Sequence, residues 1–404
     1  MVDVAAGTTS ARANTELRTL TLISIAHWVS HYYILVLPML YPFLKGRLGV
    51  DFIALGLSMS VFGVVSGFTQ VPVGYIVDHF GARRVLIIGL VLGSASFVLL
   101  GLNLSYTSLI VCGALLGLAN SVYHPSDYAL LAANIDGSRI GRAFSIHTFA
   151  GFFGGAVAPA TVAALVAVVG GEGALIASGA VGLIAALLLI AIPIPEANAA
   201  TANAADGNRG GRVNVWTPAI MVLTLFFMLL GLSNSGISTF GVVALMNGYG
   251  QLFSTANIAL TGYLAASAIG VLAGGFLADR THRHGQVAAV CFAVNAVIVV
   301  ALALTTPSAF VLSPALFVAG FLGGVIAPSR DMMVRKAAPP GAAGRAFGIV
   351  STGFNMAGIV SPLLFGFIMD QNMPRWVFGL AGLFMVLTVL LTFVTDRKPD
   401  AEDA

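Results

Sequence analysis

Charge is what this 404-residue chain has least of: Asp, Glu, Lys and Arg together make up 9% of it, while 58% is hydrophobic. Soluble domains carry about 25% charged residues, so a surface this poor in charge faces lipid. Cysteine is nearly absent too. Cys112 and Cys291 both fall within apolar stretches, which argues against a disulfide framework or a cysteine zinc site and leaves packing as their role. No Gly-x-x-x-x-Gly-Lys-Ser/Thr loop occurs, so direct ATP drive is not expected. No nucleophile, base and orienter follow one another in a catalytic order, so the chain does not read as an enzyme. The first sixteen residues hold Arg12 and Glu16 but no apolar run, so a cleavable signal is not expected and the first span serves for insertion.

What is abundant is long apolar runs. Stretches of about 20 residues, the length that crosses a ~30 Å hydrocarbon core, recur through the chain. Barrel strands would be about half as long and would alternate, so the runs are helices. The spans read as 17–44, 52–80, 85–104, 106–134, 142–170, 173–195, 215–246, 254–279, 285–305, 308–336, 343–370 and 375–395, an all-α integral membrane protein of twelve transmembrane helices. The net charge of +3 sets topology rather than attracting a nucleic acid. With the N-terminus inside, Lys45, Arg47 and Arg375 are the cations outside, Arg330 lies within a span, and every other Arg and Lys is cytoplasmic. Both termini are then expected to be cytoplasmic, and the membrane expected is a bacterial inner membrane.

Residues 196–214 form a long polar segment rich in Ala, Asn and Gly, read as a flexible cytoplasmic linker. It separates a six-helix bundle at 17–195 from another at 215–395, with cytoplasmic tails at 1–16 and 396–404. An offset of 203 pairs Gly117 with Gly320, Pro125 with Pro328, Ser126 with Ser329, Pro159 with Pro362, and Gly141-Arg142-Ala143-Phe144 with Gly344-Arg345-Ala346-Phe347. The two bundles are therefore related by an internal repeat.

Gly74-Tyr-Ile-Val-Asp78-His-Phe-Gly81-Ala-Arg83-Arg84 is echoed, at an offset of 201, by Gly275-Phe-Leu-Ala-Asp279-Arg280-Thr-His-Arg283. Here the chain resembles the major facilitator superfamily, whose loop between helices 2 and 3 reads Gly-x-x-x-Asp-Arg/Lys-x-Gly-Arg/Lys-Arg/Lys. His79 departs from that pattern. The resemblance covers nearly the whole chain and implies the major facilitator fold, with helices 1, 4, 7 and 10 lining a central cavity. A carboxylate at the membrane edge can face the positive start of another helix or a cytoplasmic Arg and so latch one conformation. Asp78, Arg83, Arg84, Asp279, Arg280 and Arg283 are expected to gate in this way, with Arg142 and Arg345 as neighbours.

Ionisable groups within a bilayer are costly, so each is a functional candidate. They are His27 and His31 in helix 1, His124 and Asp127 in helix 4, His147 in helix 5, and Arg330 with Asp331 in helix 10. His27 and His31 are four apart and His124 and Asp127 three apart, so each pair shares a helical face. A carboxylate beside a histidine exchanges a proton near neutral pH, which nominates His124 and Asp127, with His31, for proton coupling. His147, near the start of its helix, reads as a structural histidine bonded to a neighbouring carbonyl. The offset sets Asp127 opposite Arg330, a candidate gating pair; an Arg330–Asp331 pair is disfavoured because adjacent helical residues point about 100° apart. Arg330 also offers a fixed positive charge to an anionic solute, with His27, His31, Tyr32, Tyr123 and the Asn234 amide as further solute contacts and Trp28, Tyr33 and Tyr128 as aromatic surface. As an alternative, His27, His31, His124 and Asp127 suit a transition metal, which would make the chain a metal exporter.

Ser24-Ile-Ala-His27-Trp-Val-Ser-His31 and Gly117-Leu-Ala-Asn-Ser-Val-Tyr-His124-Pro125 resemble the fosmidomycin resistance protein family, proton-driven drug antiporters. His27 and His124-Pro125 match that family's pattern by position, and His31 falls where it can have Asp. Two signatures of generic drug antiporters are incomplete here, with Gly113-Ala-Leu-Leu-Gly117 and Ala158-Pro159 in their places. The function expected is alternating-access secondary transport, coupled to protons and directed outward, of a small organic anion or amphipathic drug-like solute by a monomer with no cofactor.

Overall fold

The computed structural model of the chain describes residues 2–196, 214–278, 280–281, 283–339 and 342–395. Asp279, most of the expected linker and the expected tail at 396–404 lie outside the described residues. Among the described residues every regular element is a helix: α1 (Val2–Met39), α2 (Tyr41–Leu48), α3 (Phe52–Phe80), α4 (Ala82–Leu102), α5 (Tyr106–Asn120), α6 (Tyr123–Asn134), α7 (Ile140–Ala191), α8 (Pro218–Tyr249), α9 (Phe253–Ala278), α10 (His284–Leu304), α11 (Ala309–Ala337), α12 (Ala343–Asp370) and α13 (Trp376–Thr395). Ten segments are long and apolar enough to cross a membrane, counting α5 and α6 as one. The 52-residue α7 is broken at Gly170 (φ 73°, ψ 179°), a conformation that a side chain would resist, and so makes two spans. With the shorter apolar α13, twelve spans result. Phe310, Val168 and Phe68 point outward at 90%, 83% and 77% exposure, which suits a lipid environment.

Proline sets two boundaries that hydropathy alone does not. Pro125 has no N–H for the Ser121 carbonyl, and the expected span 106–134 is interrupted at Ser121–Val122, just before it. Pro42 likewise has no N–H for the Pro38 carbonyl. The expected span 17–44 therefore stops at Met39, and α2 starts with Pro42 in its first turn.

By their contacts the residues form two compact units, Met1–Leu37 with Val64–Arg209, and Pro38–Gly63 with Gly210–Ala404. The division does not follow the linker alone, because residues 38–63 go with the second unit. In the first unit Tyr33 ties three helices together: its hydroxyl donates to the Gly179 carbonyl (3.1 Å), accepts from the Gly182 N–H (3.0 Å) and meets Ser94 Oγ at 3.1 Å. Tyr33 is thus committed to packing and is not a free aromatic surface. In the second unit α9 and α11 touch backbone to backbone. A Cβ at Gly270 or Gly274 would overlap the Phe321 or Val325 carbonyl, and one at Gly320 or Gly324 would overlap the Tyr263 or Ser267 carbonyl.

Candidate functional site

The buried ionisable groups of the first unit converge. Asp127, on the short α6 that Pro125 frees from α5, is fully buried. Its Oδ2 lies 3.0 Å from His147 Nε2 and 3.4 Å from His27 Nδ1. The His27 and His147 rings stack, with centroids 3.9 Å apart and planes 21° apart. His31 meets His27 edge-on at 4.8 Å, and His124 sits 5.3 Å from it, both half-buried. Gly151 on α7 makes the room: a Cβ there would lie 2.6 Å from the His27 ring and 2.9 Å from His31.

This arrangement corrects the sequence reading at its centre. His147, read as structural, is the direct partner of Asp127, and the second contact comes from His27 on α1 rather than from His124. Helical spacing places His124 and Asp127 on one face, but the carboxylate reaches across to α7 and α1 instead. The second oxygen, Asp127 Oδ1, is buried with no hydrogen-bond partner among the described residues, as are the Tyr123 hydroxyl and the Nδ1 atoms of His27, His124 and His147. A buried carboxylate is tolerable when it is bonded or protonated, so four imidazoles around one carboxylate form a cluster that can hold and pass on a proton. The ligating atoms of His27, Asp127 and His147 also lie within 4.8 Å of one another, close enough for a metal ion. The metal alternative read from sequence thus changes its members, with His147 in place of His31 and His124.

In the second unit Arg330 lies against two rings that themselves touch, the Phe227 and Phe354 centroids being 4.9 Å apart. Its Cζ lies 4.8 Å from the centroid of Phe227 and 5.2 Å from that of Phe354. Its Nε bonds Asp331 Oδ1 at 2.9 Å, against the expectation that adjacent residues point apart; the long guanidinium arm bridges the angle. Asp127 and Arg330 each have a side-chain partner within their own unit, His147 and Asp331. Asn234 accepts from the Tyr263 hydroxyl at 3.2 Å, and Tyr32 is bound to Ser178 (3.1 Å) and stacked on Trp28.

The loop motif also differs from its reading. Asp78 is exposed, as are Arg84, Arg142, Arg280, Arg283 and Arg345. The carboxylate at a helix start is that of Glu196, which accepts from the Arg83 N–H at the head of α4 (3.0 Å). The Arg83 guanidinium caps the other end of the pair, bonding the Leu189 and Ile190 carbonyls that close α7. Arg139, one turn before Arg142, pairs with the buried Glu16 at 2.9 Å. Nothing in their local sequence distinguished Glu196 or Glu16 from linker or tail charges.

The family model described as Major Facilitator Superfamily matches residues 23–253 and 223–404. Among curated proteins the chain is 26% identical to the fosmidomycin resistance protein of Escherichia coli over 98% of this chain and 96% of that one. It is 28% identical to a probable sulfoacetate transporter of Cupriavidus necator, over 86% of this chain and 89% of the other. It is 24% identical to a probable L-galactonate transporter of Escherichia coli, over 60% and 57%. The fold matches that of a bacterial homologue of the human lysosomal transporter Spinster, solved inward-facing and occupied, with a TM-score of 0.79 at 14% identity over 94% of this chain and 96% of that one.

Proposed function

Because the chain belongs to the Major Facilitator Superfamily and is a multi-pass membrane transporter, we propose that it exports a small organic anion or amphipathic drug-like solute in exchange for protons. It works by alternating access across the bacterial inner membrane, with both termini cytoplasmic. The observation that carries proton coupling is Asp127, a fully buried carboxylate with one oxygen hydrogen-bonded to His147 and 3.4 Å from His27 Nδ1, and the other unpartnered. A carboxylate so placed is held as an anion by the imidazoles or neutralised by a proton, and interconversion of the two is what coupling to a proton gradient requires. His31 and His124, half-buried at the rim of the cluster, are the members within reach of solute, with His27 and Tyr123 behind them.

The anionic solute class rests on Arg330. Its guanidinium lies against two adjoining rings, and Asp331 takes only Nε, leaving the terminal nitrogens for an oxyanion; Asn234 adds an amide in the same unit. The named solutes of two relatives, sulfoacetate and L-galactonate, are organic anions. A second reading, divalent-metal export, is favoured by the three donors within 4.8 Å.

Purified protein in proteoliposomes distinguishes these readings. Preloaded sulfoacetate, galactonate or fosmidomycin should exchange by counterflow, and an imposed pH gradient should drive net movement with a matching change in an internal pH dye. Exchange of zinc or nickel, with none of the organic anions, would replace the anion reading by the metal one.

A further inference from the structure

A further carboxylate is engaged within the second unit, and the internal repeat gives no hint of it. Asp370, the last residue of α12, accepts from the first two amides of α3: Oδ1 from Phe52 N–H at 2.9 Å and Oδ2 from Ile53 N–H at 2.8 Å. The next two amides are satisfied locally by Asp51, through its side chain for Ala54 (2.8 Å) and its carbonyl for Leu55 (3.2 Å). Half of the helix's free donors therefore depend on a residue more than 300 positions away, and the helix dipole adds to the attraction. Lys45 stands beside the contact, 3.9 Å from Asp370 Oδ1 and 4.3 Å from the centre of the Phe52 ring.

Below the carboxylate the two helices meet along a seam of small residues. A Cβ at Gly56 would overlap the Pro362 carbonyl, one at Gly366 would come within 2.7 Å of the Phe52 carbonyl, and Ser60 Oγ donates to the Ile359 carbonyl at 2.7 Å. Residues 38–63 cluster with the second unit and Val64 onward with the first, although α3 is one unbroken helix. The Asp370 end of α3 is thus the piece of the first sequence repeat that is held, by its contacts, with the second.

We propose that Asp370 is a positioning residue of the transport cycle, a latch whose carboxylate holds the outward-facing ends of α3 and α12 together in one conformation and releases them in the other. The contact suits repeated breaking. It is two directional hydrogen bonds at a site where Lys45 is 41% and Asp370 16% exposed, so water receives the charges and amides once they separate. The proposal goes beyond the solute and proton assignments, and its test needs neither.

The test uses the full chain in proteoliposomes, with Cys112→Ser and Cys291→Ser and one reporter, Ser60→Cys, at a seam residue that is 4% exposed. A membrane-impermeant maleimide is applied from the side that Lys45 faces. Asp370→Asn, which keeps the shape and removes the charge, should raise the labelling rate at least about tenfold, a shift of ~1.4 kcal/mol in the opening equilibrium. Asp370→Glu should label as slowly as the parent. Equal labelling of the Asn variant and the parent would overturn the proposal, as would a Glu variant as fast as the Asn one. A rise matched at a buried control in the other unit, Ser178→Cys, would mean general loosening and would equally overturn it.

Discussion

Replacing Asp127 by Asn tests the proton reading most sharply, because it preserves shape and removes the one negative charge of the cluster. Four histidines surround a single carboxylate, so the cluster carries one acid whose charge can be cancelled, and the stoichiometry that follows is one proton per cycle. One pH unit is worth ~1.4 kcal/mol, hence about a tenfold solute gradient per proton moved. In proteoliposomes with an imposed gradient of one pH unit and the membrane potential clamped at zero, the wild-type chain should build a solute ratio of about ten by one-for-one exchange with protons. The Asn variant should stop at a ratio of about one while still exchanging labelled for unlabelled solute. An amide can still accept from His147 Nε2 at 3.0 Å and should keep the fold. The charge-assisted part of the bond is lost, ~1 kcal/mol, so melting should fall only slightly. An Asn variant that still concentrates solute tenfold under the same gradient would refute the reasoning and move coupling away from Asp127.

Three further variants probe the surroundings of the two sites. Arg330→Lys removes the flat cation that lies against Phe227 and Phe354 and should raise the anion concentration for half-maximal exchange roughly tenfold while leaving the saturated rate near wild type; an unchanged half-saturation would mean that Arg330 does not touch solute. Gly151→Ala drives a methyl against His27 and His31 and should cost ~1–3 kcal/mol and abolish pH-driven uptake. Gly155→Ala, whose nearest neighbour would be Leu35 Cδ1 at 3.7 Å, should be tolerated in both assays.

The span count was legible because hydropathy and length are one-dimensional properties, and the joints at Pro42 and Pro125 follow from a missing N–H once they are looked for. The members of the cluster were legible as well, since a buried titratable residue stands out against a Leu- and Val-rich background. Their pairing was not. The i, i+3 rule links His124 to Asp127 along one helix, but the rotation of α6 against α7 and α1 decides which imidazole the carboxylate meets, and that rotation is set by packing such as the space over Gly151. Glu196 and Asp370 were missed for a related reason. Each caps a helix more than 100 residues away in sequence, and a cap of that kind leaves no local pattern. Arg330 was marked by its charge alone, while Phe227 and Phe354 look like any other apolar residues of their helices until the fold brings both against it.

The backbone seam between α9 and α11 has a mechanical consequence. Carbonyls pressed against Gly270, Gly274, Gly320 and Gly324 leave no compressible side chain between the two helices, so they must swing as one plank. Arg330 lies 21 residues from the start of α11, about 32 Å along the axis. A rotation of about 10° around that start would carry the guanidinium through about 5 Å, more than enough to break and make contacts with a small anion. The stiffness lies in the helices and the compliance in their connections, so substitutions that change transport speed without changing affinity should collect at the ends of this plank, where the loops meet it, rather than along the seam.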